Sequence, residues 1–69
     1  MAQVKVYYDQ AGNTLTVWFA DPQEEYVAEE TGDEVVLMKD KAGRVIGFEK
    51  LNFSANPTRL QVAFETVAR

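Results

Sequence analysis

The chain has 69 residues, seven Lys/Arg against eleven Asp/Glu for a net charge of −4, and neither histidine nor cysteine. Those absences exclude Ser-His, Cys-His and His-metal chemistry, disulfides and thiolate-held metals. The charge has the wrong sign for a general nucleic-acid binder, while 46% hydrophobic residues suit one small globular domain.

No apolar run approaches the roughly 18–20 residues that span a bilayer. Met1–Lys5 has no basic stretch leading into an apolar one, so no signal peptide, no membrane association and a cytoplasmic location are expected. Val4, Val6 and Tyr8 then alternate with Lys5 and Tyr7, the period-2 signature of a strand. The turn-formers Asp9–Asn13 follow, and Leu15, Val17 and Phe19 alternate with Thr14, Thr16 and Trp18. Pairing Asp9 with Thr14 sets Tyr8 against Leu15, Val6 against Val17 and Val4 against Phe19, with every apolar residue of that set on one face. The same register places Tyr7 beside Thr16 and Lys5 beside Trp18 on the other face.

Asp21-Pro22 ends the second strand, because proline cannot continue a ladder. Residues 21–34 hold Asp21, Glu24, Glu25, Glu29, Glu30, Asp33 and Glu34 without one basic residue, so the rest of the chain is net positive. Tyr26-Val27-Ala28 within this stretch reads as a short edge strand, and Thr31-Gly32-Asp33 as a turn. Val35–Met38 is a short apolar run of the kind covered on both faces. Lys39–Arg44 forms the next turn, with Gly43 at the left-handed position of a three-residue hairpin loop. Val45–Leu51 is the return strand, where Gly47 signals a bulge or a close backbone approach.

Asp9-x-Ala11-Gly12 and Asp40-x-Ala42-Gly43 echo each other, which fits either a duplicated hairpin or one turn type used twice. At the C-terminus Leu60, Val62, Phe64 and Thr66 alternate as in a strand. Leu60, Ala63, Phe64 and Val67 equally fit a helix capped by Asn56-Pro57. The valine, phenylalanine and threonine content favours the strand. The expected fold is mainly β: two antiparallel hairpins plus a C-terminal strand in a small twisted sheet, with α+β and a C-terminal helix as the alternative.

Val6-Tyr7-Tyr8-Asp9 running into Leu15-Thr16-Val17, together with Gly43-Arg44-Val45-Ile46-Gly47-Phe48-Glu49-x-Leu51, resembles a family of very small bacterial and cyanobacterial proteins classed as a domain of unknown function. The resemblance covers about residues 4–52. Lys50 stands where the family usually has an aliphatic residue, and Lys39 where many members have an aromatic one. The resemblance implies a small β-rich fold and no established catalytic residues. Some relatives lie beside genes for small toxin-like proteins, so it also implies an antitoxin-like role.

The side chains that could carry function fall into three groups. Asp9, Asp40 and Glu49 would serve a carboxylate enzyme or cation site if the two hairpin turns met at one end of the sheet. The competing reading has each aspartate bonding the N–H groups of its own turn and Glu49 in a cross-strand ion pair. The acids of residues 21–34 with Tyr26 would face a basic partner, or would merely keep the chain soluble. Tyr7 and Trp18 need cover on a second face, from the C-terminal segment or from another chain. The expectation is therefore a non-enzymatic, cofactor-free and metal-free interaction protein. Its partner-binding residues would be Tyr7, Trp18, Glu24, Glu25, Tyr26, Glu29 and Glu30, its partner a basic protein, and its own state a homodimer. A self-contained homodimeric regulatory subunit and the carboxylate enzyme are the alternatives. Lys39, Lys41 and Arg44 lack the interleaved aromatics of an RNA-binding surface.

Overall fold

The computed structural model describes residues 3–68. Five strands follow the chain: β1 (Lys5–Asp9), β2 (Thr14–Trp18), β3 (Val27–Glu30), β4 (Val35–Lys39) and β5 (Val45–Lys50). A single 3-10 turn at Pro22–Glu24 lies between β2 and β3, capped by the Asp21 carboxylate on the Gln23 N–H at 2.9 Å. The strands form one antiparallel sheet in the order β1-β2-β5-β4-β3. β3, β4 and β5 are a meander, and β2 lies beside β5 through the long 19–26 connection, the Greek-key arrangement.

The first hairpin has the register that aligns its apolar residues: Asp9 opposite Thr14, Tyr8 opposite Leu15 and Val6 opposite Val17. The β4–β5 turn is the three-residue loop its sequence requires. Asp40 and Arg44 pair through backbone at 2.9 Å, and Gly43 takes φ +84°, a conformation costly for any residue with a Cβ. The edge strand extends beyond Ala28 through Glu29 and Glu30, because Leu37 and Val36 supply its ladder partners.

Alternation divides the side chains between two faces. Tyr7, Thr16, Trp18, Glu49, Met38 and Ala28 share one; Val6, Tyr8, Leu15, Val17, Phe48 and Leu37 share the other. Gly47 shows both features its position suggested. The β4–β5 register slips beside it at Met38/Lys39, and an added Cβ would fall 2.6 Å from the Val17 carbonyl oxygen. It would also fall 2.9 Å from Trp18 Cε3, so the indole of Trp18 and the thioether of Met38 fill the space above the glycine. Met38 on this face and Ile46 on the other are the buried apolar residues, each 5% exposed.

Residues 60–68 form neither the expected C-terminal strand nor the alternative helix; they have no regular secondary structure. After β5, Asn52 turns the chain with φ +54° and the Phe53 N–H bonds the Asn13 carbonyl at 2.8 Å. Phe53 then packs edge-on against Tyr8 at 5.7 Å, and Ala55 bonds the Tyr8 hydroxyl. The chain is thereby drawn across the sheet to the β1 side, and the segment beyond meets no strand to pair with. Alternation is a property of a strand only when a neighbour completes its ladder. Phe64 is left 80% exposed.

Candidate functional site

The acidic stretch is ordered as one margin of the sheet. Glu24 and Glu25 end the 3-10 turn, Tyr26 is 69% exposed, and Glu29 and Glu30 lie on β3. Among the described residues the outer backbone edge of β3 has no neighbouring strand. Three of the seven acids have local work. Asp21 caps the turn, Glu29 meets Lys39 Nζ at 3.0 Å, and Glu34 meets Lys50 Nζ at 3.2 Å and Asn52 Nδ2 at 3.1 Å. The bond from Asn52, then Lys50, holds the Glu34 carboxyl below its ordinary range. Among the described residues Glu24, Glu25, Glu30 and Asp33 have no basic group within 4.0 Å. Their charge faces solvent.

Tyr7 and Trp18 lie elsewhere. β1 and β3 are opposite edges of the sheet, four strand spacings or about 19 Å apart, so Tyr7 and the acidic margin are separate surfaces. Tyr7 is exposed beside Thr16, whereas Trp18 is half-buried by its seat over Gly47. The seven expected partner-binding residues thus divide into an acidic group and an aromatic pair.

The turn aspartates do not meet. β2 and β5 run antiparallel, with Leu15 opposite Lys50, so the β1–β2 turn lies beside the end of β5 and the Asp40 turn beside its start. The length of the sheet, about 17 Å, separates them, and a shared Asp9–Asp40 site is ruled out. Each aspartate organises its own turn instead. Asp9 Oδ1 accepts the Gly12 N–H at 3.0 Å. Asp40, only 7% exposed, accepts the Ala42 and Arg44 N–H groups on Oδ1 at 3.0 and 2.9 Å and Arg44 Nε on Oδ2 at 3.0 Å. Chiefly the Arg44 backbone N–H holds this carboxyl below its usual range, against the opposing effect of burial. Among the described residues Glu49 forms no cross-strand ion pair; its Oε2 accepts the Thr16 hydroxyl at 3.3 Å, because Thr16 is its direct partner in the register. A shallow cleft of about 330 Å³ lies between Glu24 and the Asp40–Arg44 turn. Both Asp40 oxygens facing it are already engaged.

Two features escaped the sequence. One is the Tyr8 hydroxyl, which holds Ala55 from 47 residues away and has no local signature. The other is the exposure of Val62 and Phe64, an alternating pair whose pattern reads as part of an internal strand.

A family profile described as a protein of unknown function, DUF2283, matches residues 5–54, from the start of β1 to just past Phe53. The chain belongs to this family. The matched stretch contains all five strands and both turn aspartates, and the exposed 60–67 segment lies outside it. Neither the curated proteins nor the solved structures give a match. No helix among the described residues is long and apolar enough to cross a membrane.

Proposed function

We propose that this DUF2283 chain is a non-enzymatic interaction protein that binds a basic protein partner along its acidic margin, in the manner of an antitoxin. The observation behind this reading is the placement of Glu24, Glu25, Tyr26, Glu29 and Glu30 on and beside a strand with a free outer edge. Clustered carboxylates steer a cationic surface into encounter and reject anionic ones. A free edge adds backbone donors and acceptors, and Tyr26 adds an aromatic anchor. A cytoplasmic location belongs to the same reading. The test is capture of proteins from the source lysate by tagged chain, at about 50 mM and about 300 mM salt, where screening lengths differ about twofold. The expected result is a stoichiometric basic protein released by salt and absent with the Glu24→Lys, Glu25→Lys, Glu30→Lys variant. Retention indifferent to both salt and charge reversal would sink the reading.

A homodimer is the second reading, favoured by surface area. The chain exposes 5679 Å², roughly 1,300 Å² more than a compact monomer of 7.8 kDa presents. Its radius of gyration of 13.2 Å likewise exceeds the about 11 Å of a compact chain this long.

A further inference from the structure

Among the described residues the sheet is a single layer with both edges open, and a strand-patterned segment projects from it unpaired. We propose that residues 60–67 form the strand by which two copies of the chain join, each copy's segment adding along the free outer edge of the other's β1. The inference rests on the dimer reading and assigns its interface.

Four observations support it. First, the segment has strand periodicity and no ladder: Val62 and Phe64 alternate with Gln61, Ala63 and Glu65, and Val62, Phe64 and Val67 are all exposed. Bare strands gain their backbone bonds from an open edge, and an open edge accepts them. Second, β1 carries the matching row. Val4 and Val6 are exposed and share a face with Tyr8, so the segment's Leu60, Val62 and Phe64 continue the apolar face outward when added beside them.

Third, charge selects between the two open edges. β3 presents Glu29 and Glu30, which would oppose Glu65, while β1 holds one Lys5 and one Asp9 and is neutral. The root of the segment also lies at β1, because Ala55 is held on the Tyr8 hydroxyl at 2.9 Å. In a two-fold pair built around β1, each root stands next to the other copy's edge. Fourth, the surplus surface fits: a stable interface buries about 800 Å² on each partner, which lies within the roughly 1,300 Å² by which the chain exceeds a compact monomer.

The experiment uses the full-length chain. Light scattering is expected to give twice the 7.8 kDa chain mass, and Val62→Asp with Phe64→Asp to halve it while the β-sheet circular dichroism is kept. Because the chain has no cysteine, a Val6→Cys copy mixed with a Val62→Cys copy can be joined by a short bismaleimide only between chains. A linked Val6→Cys/Val62→Cys heterodimer is the expected product. Native dimers that yield no such link would overturn the assigned interface while leaving the dimer standing; a native monomer would overturn both.

Discussion

The hydroxyl of Tyr8 donates to the carbonyl of Ala55 and accepts from its N–H, each at 2.9 Å, so one side chain holds both polar groups of a residue 47 positions away. This clamp fixes where the C-terminal segment leaves the sheet. Tyr8→Phe removes both bonds and keeps the ring against Phe53. At about 0.5–1.5 kcal/mol per bond the expected loss is about 1–2 kcal/mol, read as a lower urea midpoint. Limited proteolysis within residues 55–68 should accelerate in parallel.

Gly47→Ala should cost about 2–3 kcal/mol. The new methyl would meet the Val17 carbonyl oxygen at 2.6 Å, backbone that cannot give way without distorting β2. The same methyl displaces Trp18, the only tryptophan, so its emission should shift to the red in the folded state. Trp18→Ala should also lower stability, by about 2–3 kcal/mol, yet leave the mass in solution unchanged, since the indole is seated within its own chain.

Acid should weaken the fold from about pH 4.5 downward. Asp40 and Glu34 both titrate lower when folded than their ordinary values of 3.8 and 4.5. A carboxyl with a depressed folded value stabilises fully above the unfolded one, and that stabilisation is lost as pH falls through the folded value. Asp40→Asn should therefore be less stable than the native chain at pH 7. The gap should narrow in acid, as pH falls from 3.8 toward and through the lower folded value of the native Asp40. Urea midpoints across that range measure it; a gap independent of pH would contradict the role given to the charge.

Gly43→Ala isolates a backbone effect. Beyond its two chain neighbours no atom lies within 4 Å of the added Cβ, but φ is +84°, so the expected loss of about 1–2 kcal/mol is conformational. Thermal melts should show a drop of several degrees in a domain this small.

Local pairing was legible in the sequence, and placement across the sheet was not. Asp9 against Thr14 and the Gly43 loop follow from period-2 alternation and turn chemistry, which act over a few residues. The separation of Asp9 from Asp40 depends on β2 pairing antiparallel with β5, a choice between two hairpins that neither hairpin contains. The division of the interaction candidates follows from the same choice, because Tyr7 and Glu30 fall on opposite margins once β2, β5 and β4 lie between them. The 60–67 segment misled for a related reason: its alternation is real, but a strand's partner is not encoded within the strand.

The pairing of Trp18 with Gly47 and of Leu15 with Lys50 also orders events in time. Every other ladder joins neighbours in sequence, whereas β2 and β5 meet only after the intervening chain closes into a loop of about thirty residues, an entropic toll met before any contact rewards it. The β3–β4–β5 meander and the β1–β2 hairpin, each paired locally, are therefore expected to form before they dock on one another. Substitutions at the Val17–Phe48 contact should then accelerate unfolding while barely slowing refolding, and the first hairpin becomes the part of the molecule that leaves and returns most often.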